Sequence, residues 1–169
     1  MPKVILQPAG SPAAAIHYKN TILEPVSLHR CAEFISAPDV AELATIHGRD
    51  GAHVWGVTPG ESFRNRTKWE KIDPGDAVLF CGNGEVFASA FVTHKLHNRA
   101  LAVDLWRKDR KGRTWEYIYF VSAPLTQAIK YRRLARAVGF SDGYVVLGFT
   151  VLREDQSAKI LHEFGLADD

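Results

Sequence analysis

The sequence predicts an α+β fold in which a small twisted sheet or barrel of short β-strands is flanked by helices. From His53 to Phe120 the apolar residues alternate with polar ones or form short runs between turn signals, as in strands. Before and after this part, apolar residues recur at three- and four-residue spacing, as in amphipathic helices. The chain has 169 residues, a length that suits one domain with an ordinary core.

Residues 1–52 are predicted to form a strand and helices that pack on the core. The apolar run 3–7 predicts a strand, and residues 11–25, with their two prolines, are interpreted as an irregular connection. Residues 26–35 show helical spacing, with Ser27 as a suitable N-cap, and a second short helix follows Pro38.

Residues 53–169 are predicted to form the barrel and the C-terminal helices of the same single domain. Asn83-Gly84 is a hairpin signal, and residues 68–72 are interpreted as one helical turn. Composition and turn boundaries predict strands at HVWGVT (53–58), AVLFC (77–81), EVFASAFVTHKL (85–96), LAVDLW (101–106), WEYIYFVS (115–122) and GYVVLGFTVL (143–152).

Two helices are predicted after the barrel strands. In the first, Tyr131, Leu134 and Val138 share one face, and Gly139 is a natural C-terminal stop. The second is a short amphipathic helix over residues 156–164. We therefore expect helices on both sides of the strand-rich part in sequence.

Charge and cysteine content restrict the class of protein. The formal net charge is only +2, so any attraction to nucleic acid must come from where the charges lie. Cys31 and Cys81 stand in apolar surroundings and are predicted to be buried free thiols in a reducing cytoplasm. The first ten residues lack the apolar core of a signal peptide, and no run approaches the ~20 apolar residues of a membrane span. No membrane association is expected.

All four tryptophans lie in the strand-rich part of the chain. Trp69, on a helical turn, and Trp115, leading into an apolar strand, are predicted to pack in the core. Trp55 and Trp106 are interpreted as strand-end residues. An indole at such a position either packs in the core or lines the mouth of a barrel, and both alternatives remain open.

Three basic segments flank these tryptophans: residues 64–68, 95–99 and 107–113. A charged loop is either a solvated turn or a phosphate contact, but cations beside aromatic rings favour nucleic acid, because Lys and Arg neutralise phosphates while indoles stack on bases. Asn65, within the first segment, is a candidate reader of a base edge. The predicted phosphate contacts are Arg64, Arg66, Lys68, Lys95, Arg99, Arg107, Lys108, Arg110, Lys111 and Arg113.

Signals for a metal or catalytic site are weak, and neither a metal nor a cofactor is predicted. Among the scattered histidines only His94 and His97 are close, and no Cys or carboxylate stands at ligand spacing from them. No nucleophile elbow or phosphate-binding loop follows a strand. The sequence predicts a binding protein without catalysis of its own. A nucleotide-acting enzyme using His94, His97 or Asp104 is the alternative.

The order of short motifs resembles the PUA-like superfamily. These motifs are Trp-Gly after a strand, W-x-x-I, P-G-D-x-V-L-F, a glycine hairpin, L-W, and W-E-x-I-Y-F. The chain is most similar to the EVE and YTH branches, including reader domains of modification-dependent restriction enzymes of the HNH, McrA or McrB type. The resemblance spans residues 53–150 and implies a barrel of five or six strands flanked by helices. It also implies a pocket for one modified base, flipped from DNA or looped from RNA.

The resemblance further implies that aromatic side chains enclose this base. By motif position, Trp55 and Trp106 match the enclosing tryptophans, and Trp115 or a residue of the loop before it would supply a third wall. Gly56 and Val57 are expected beside them. Gly56 stands where YTH domains usually have serine, a departure that favours the prokaryotic DNA readers.

The expected ligand is therefore duplex DNA carrying a modified base, with 5-methylcytosine as the first candidate. The resemblance places such a reader in a prokaryotic cytoplasm, on the nucleoid when bound, and leaves open whether a partner supplies a nuclease. Two alternatives remain open. One is an RNA-binding module that reads methyladenine or acts in RNA modification, and the other is a nucleotide-acting enzyme of the ASCH type.

Overall fold

The computed structural model describes residues 1–48 and 50–166. Within them, seven strands form one sheet: β1 Val4–Pro8, β2 His53–Val57, β3 Ala77–Gly82, β4 Glu85–His97, β5 Tyr117–Val121, β6 Leu125–Lys130 and β7 Thr150–Val151. The order is β2-β5-β4-β3-β1-β7, and β6 pairs with β4. The β1–β3 pair is parallel and the other pairs are antiparallel.

Helices flank this sheet, so the predicted α+β class is confirmed. The α-helices of the described residues are α1 Pro12–Tyr18, α2 Leu28–Ala32, α3 Ala37–His47, α4 Arg64–Glu70, α5 Arg99–Trp106, α6 Tyr131–Val138 and α7 Glu154–Glu163. A π-helical turn, Lys19–Leu23, continues α1, and a 3₁₀ turn, Glu61–Phe63, precedes α4. Bilayer crossing would require a longer and more apolar helix than any found in the described ranges.

The sheet is larger and more open than the expected barrel of five or six strands. No ladder between described strands joins the edge strands β2 and β7, so the sheet does not close. The 13-residue strand β4 connects its two halves, pairing with β3 and β6 over its first part and with β5 over its second. Register shifts at Val92/His94 and Val86/Ala88 interrupt these ladders, as β-bulges do where a strand bends.

Alternate residues of the strands belong to different cores, because successive side chains of a strand point to opposite faces. Trp55 and Tyr119 pack in an inner core. Their neighbours Val54 and Phe120 pack in an outer core with residues of α2, α3 and α5. A second outer core lies between β1, β3 and the helices α6 and α7. The sheet is thus covered by helices on two outer surfaces.

The N-terminal region contributes to the sheet itself. β1 lies between β3 and β7, paired with β3 over its whole length. The predicted strand in this region is confirmed, as are the helix capped by Ser27 and the helix after it, which is capped by Ser36. The boundary between residues 52 and 53 stays a prediction. Residue 49 and residues 167–169, which the two predicted segments include, lie outside the described residues.

Two predictions are wrong, one in the middle of the chain and one near its N-terminus. LAVDLW was predicted to be a strand but belongs to α5, whose N-cap Asn98 accepts a hydrogen bond from the Leu101 N–H through its side chain. The basic loop 107–113 therefore joins a helix to β5 and not two strands. Residues 11–25 were predicted to be irregular but are largely helical, with Pro12 in the first turn of α1, where proline fits.

The C-terminal part differs from the prediction in two strands. GYVVLGFTVL was predicted to be a strand throughout, but only Thr150–Val151 pairs with the sheet. Residues 125–130, for which no strand was predicted, form β6. The helices predicted around 130–138 and 156–164 are confirmed, and Gly139 ends α6 with a positive φ.

Candidate nucleic-acid interface

An open pocket of about 280 Å³ lies beside β2 and the residues that follow it. Its wall is formed by the end of β1, by α1, by the first turn of α4 and by residues 147–149. Five of the six residues predicted to surround a base line this pocket, namely Trp55, Gly56, Val57, Asn65 and Trp115. Residues distant in sequence thus meet at one site.

The two tryptophans of the pocket have unpaired indole N–H groups. Trp55 is held edge-on by Phe80, with ring centroids 5.6 Å apart, and Trp115 is half-buried, with the ring of His17 edge-on at 4.4 Å. No described group accepts a hydrogen bond from Nε1 of Trp55 or Trp115, yet every fully buried side-chain nitrogen of the described residues has a partner. Neither N–H group is therefore fully buried, and both residues line the pocket.

The other two tryptophans have their indole N–H groups satisfied inside the protein. Nε1 of Trp69 donates to the carbonyl of Ile118 at 3.0 Å, and Nε1 of Trp106 donates to Oγ1 of Thr21 at 3.3 Å. The expected packing role of Trp69 agrees with this bond. Trp106 is the last residue of α5, not the end of a strand, and it lies in an outer core. It is not among the residues that line the pocket.

Trp106 supports the pocket from behind. A Cβ atom built on Gly56 would lie 2.8 Å from Cζ3 of Trp106 and would also collide with the backbone carbonyl of Trp115. Because Gly56 lines the pocket and has no side chain, the Trp106 ring can pack directly against this strand. Trp106, which the sequence motif predicted to enclose the base, packs against the opposite side of β2.

Gln7 adds a buried amide to the pocket that no sequence pattern indicated. Its Nε2 donates to the carbonyl of Pro8 at 3.0 Å, and its Oε1 accepts from the hydroxyl of Tyr119 at 2.7 Å. Since a carbonyl only accepts, the orientation of this amide is determined. One N–H and one lone pair of the Gln7 amide remain, and with Asn65 they can bond to the edge of a base.

His17 reaches the pocket because α1 begins at a well-capped N-terminus. Oγ of Ser11 accepts from the N–H of Ala14 at 3.2 Å, and both residues also line the pocket. The Ser-Pro pair was the available signal for this helix. Burial lowers the pKa of His17, so its ring is neutral near pH 7 and offers one donor and one acceptor.

The loop 107–113 is folded around Asp109. The Asp109 carboxylate accepts from the backbone N–H groups of Lys111 and Arg113 and pairs with the Arg113 guanidinium at 2.9 Å. These bonds, led by the Arg113 N–H, lower the pKa of Asp109. Arg113 is thus used within the loop. Four exposed cations of the loop have no ion pair with any described acidic residue: Arg107, Lys108, Arg110 and Lys111.

Two of the predicted phosphate contacts are lysines engaged with backbone carbonyls. Nζ of Lys95 donates to Trp69 and Glu70 and lies 4.8 Å from the Trp69 ring centroid. Nζ of Lys68 donates to the carbonyl of Phe149 at 2.7 Å. Burial lowers the pKa of both lysines. Their charges are placed to hold segments of the chain together.

The remaining predicted phosphate contacts form ion pairs with carboxylates. Arg99 pairs with Glu116 at 2.9 Å. Arg66 pairs with Glu70 at 3.1 Å, and Arg64 lies 3.7 Å from Glu61 in a more exposed pair. Exposed pairs of this kind contribute roughly 0–1 kcal/mol, so these cations stay available to a phosphate at small cost. The loop 107–113 nevertheless carries the larger unpaired charge.

The residues considered for an enzyme lie outside the pocket lining. His97 pairs with Glu116, and Asp104 pairs with Arg30. The two ring nitrogens of His94 face Asp39 and Glu42, at 3.1 and 3.6 Å. Asp39, Glu42 and His94 together have the spacing of a metal-ligand set. Each of these side chains has a polar partner outside the pocket.

Comparison with known proteins gives structural neighbours only. No protein-family model and no curated sequence matches the chain. A solved structure of the N-terminal domain of Thermococcus gammatolerans McrB bound to m5C DNA superposes with a TM-score of 0.69 at 17% identity, covering 97% of this chain and 98% of that chain. This likeness spans both chains almost completely.

Two YTH domains are also similar. The Pho92 YTH domain in complex with m6A has a TM-score of 0.54 at 12% identity, covering 96% of this chain and 86% of that one. The YTH domain of Zygosaccharomyces rouxii MRB1, in complex with N6-methyladenosine RNA, has 0.53 at 14%, covering 99% and 90%. The chain shares the fold of the McrB N-terminal domain and of these YTH domains. The fold implied by the sequence motifs is thereby confirmed.

Proposed function

We propose that this protein binds nucleic acid containing a modified base and takes that base into the pocket lined by Trp55 and Trp115. The observation that carries the proposal is that Trp55 and Trp115, which are distant in sequence, line the same open pocket and that no described group accepts from either indole N–H. The pocket volume of about 280 Å³ lies just below the roughly 300–1,000 Å³ typical of small-ligand sites.

Stacking supplies the affinity for the base in this proposal. Contact between a base and an aromatic side chain contributes about 1–3 kcal/mol by alanine substitution. Flipping a base from a duplex costs a few kcal/mol, so stacking alone offsets only part of it. Hydrogen bonds from Gln7, Asn65 and the indole N–H groups to the base edge would supply the rest, together with phosphate contacts.

Duplex DNA carrying 5-methylcytosine is the ligand that we propose. The McrB domain, solved with m5C DNA, has a higher TM-score with this chain than either YTH domain. The loop 107–113 carries four unpaired cations and is followed almost directly by Trp115, which lines the pocket. In this proposal these cations contact the phosphates on either side of the flipped base. In this proposal the chain reads the base, and a nuclease or other activity belongs to a partner.

A second candidate is a reader of methyladenine in RNA. The likeness to two YTH domains solved with m6A or N6-methyladenosine RNA favours it. A single-stranded RNA presents its bases without the cost of opening a duplex, so the same pocket would need fewer supporting contacts. The two candidates therefore differ in the strand state of the ligand as well as in the base.

Equilibrium binding to four matched probes tests the proposal. The probes are one duplex with and without 5-methylcytosine and one RNA strand with and without N6-methyladenosine, each measured by fluorescence anisotropy at two salt concentrations. A buried methyl group contributes about 0.8 kcal/mol, so we expect about fourfold tighter binding of the methylated duplex. Equal affinity for the two duplexes at both salt concentrations would contradict the proposal. A preference for the methylated RNA would support the second candidate.

A further inference from the structure

Leu147 is an exposed apolar residue at the rim of the pocket. Its side chain is 87% exposed, more than that of the N-terminal Met1. It also lines the same pocket as Trp55 and Trp115. A leucine that gains nothing from the protein core, placed beside an aromatic pocket, offers its surface to whatever approaches that pocket.

The backbone on both sides of Leu147 is fixed. Val146 is buried in the outer core with α6 and α7, and Phe149 is buried in the inner core. Nζ of Lys68 donates to the carbonyl of Phe149 at 2.7 Å, which ties this segment to α4. Leu147 therefore projects from an anchored segment, so its position relative to the pocket is set before a ligand binds.

We propose that Leu147 enters the base stack of duplex DNA and occupies the gap that a flipped base leaves behind. This inference rests on the proposed function, because it requires a base to move from the duplex into the pocket. A flipped base leaves an apolar gap between its two neighbours, and proteins fill such gaps with apolar side chains. A leucine side chain next to the receiving pocket has the chemistry and the location for this.

The role proposed for Leu147 applies to a duplex and not to a single strand. In a single strand the target base has no pairing partner, so it enters the pocket without leaving a gap in a duplex. An inserted side chain therefore has no gap to fill and adds no affinity. Leu147 should therefore increase affinity only where flipping must be stabilised. This separates insertion into the stack from a simple covering of the bound base, which would strengthen binding to both forms equally.

The test compares Leu147→Ala with wild type on two probes: a duplex with one 5-methylcytosine and the same methylated strand alone. Leu125→Ala is the matched control, since Leu125 is also an exposed leucine, at 61%, but does not line the pocket. Burial of most of a leucine side chain predicts about tenfold weaker duplex binding for Leu147→Ala. We expect its single-strand affinity, and both affinities of Leu125→Ala, to stay within about twofold of wild type.

Each other outcome has a defined meaning. Equal losses on duplex and single strand would show that Leu147 covers the bound base, which overturns the insertion and leaves the proposed function intact. No loss on either probe overturns the insertion as well. If wild-type protein binds methylated and unmethylated duplex equally, the proposed function fails and the role of Leu147 fails with it.

Discussion

Gly56 and Trp106 are in direct contact across β2, with no space for a side chain between them. A Cβ on Gly56 would approach Cζ3 of Trp106 to 2.8 Å, closer than real Cβ contacts. This contact joins the outer core to the wall of the pocket. Trp106 thus fixes the strand that carries Trp55 without lining the pocket.

Gly56→Ala is expected to destabilise the protein. The new methyl group would force Trp106 or the backbone of residue 115 to move, and overpacking of this kind costs about 1–3 kcal/mol of unfolding free energy. Urea denaturation measures the change. The control is Gly143→Ala, because a Cβ there meets nothing within 4 Å and should change stability by less than about 0.5 kcal/mol. Equal effects of the two substitutions would contradict the packing described.

Trp106→Phe is expected to lower stability and to leave base preference unchanged. The substitution removes the hydrogen bond to Thr21 and some of the packing behind Gly56, at an expected cost of about 1–3 kcal/mol. The affinity ratio between methylated and unmethylated duplex should stay at the wild-type value. If this ratio falls to one in a folded variant, Trp106 contacts the base, as the sequence motif had suggested.

Removing the unpaired cations of the loop 107–113 is expected to weaken binding to all duplexes alike. Each lost phosphate contact should reduce the slope of log affinity against log salt by about 0.9 for B-DNA. Anisotropy across a salt series measures this slope for wild type and for a variant with alanine at Lys108, Arg110 and Lys111.

The control for that variant removes the same number of charges from α6, where Arg132, Arg133 and Arg136 are exposed. None of these three arginines lines the pocket. Replacing them with alanine should leave the salt slope closer to wild type than the loop variant does. A loop variant with an unchanged slope would place the DNA backbone elsewhere on the surface.

The free energy of unfolding is expected to decrease as the pH is lowered, and His17 contributes part of this decrease. Burial lowers the pKa of this group in the folded protein below the ordinary value of 6.5. Below pH 6.5 the unfolded chain therefore binds a proton that the folded chain excludes, and the free energy of unfolding decreases. Burial also lowers the pKa of His47, which contributes in the same direction.

His17→Gln removes the titrating group and should reduce this pH dependence. Urea denaturation of wild type and variant at about pH 8 and about pH 5 compares the two losses of stability. The variant should lose less between the two conditions. An identical loss in both proteins would mean that His17 titrates alike in the folded and unfolded states.

The sequence located most strands because period-two patterns and turn residues are local signals. It failed at α5, where Leu101, Val103 and Leu105 alternate as they would in a strand. The N-cap residue Asn98 was the overlooked signal for a helix. The strand prediction for residues 143–149 failed for a different reason. The valines and the tyrosine of this segment suit a strand, but its side chains are divided between two cores and the surface, and Leu147 is exposed.

The candidate site was predictable where motifs were contiguous. Trp55, Gly56 and Val57 follow one another on β2, and Asn65 lies shortly after them in sequence. Gln7 and His17 come to the pocket from the N-terminal region, through the pairing of β1 and the packing of α1, and no local pattern indicates such contacts. Trp106 was expected beside Trp55 because it was interpreted as a strand end, whereas it ends the helix α5 and packs in an outer core.

The most direct test of the central claim is the coupling between Trp115 and the methyl group of the target base. Wild type, Trp115→Ala and the control Trp69→Phe would each be titrated with the methylated and unmethylated duplex. We predict that wild type and Trp69→Phe bind the methylated duplex about fourfold more tightly, whereas Trp115→Ala, still folded, binds both equally with its salt dependence retained. An unchanged methyl preference in Trp115→Ala would contradict the claim that this pocket receives the modified base.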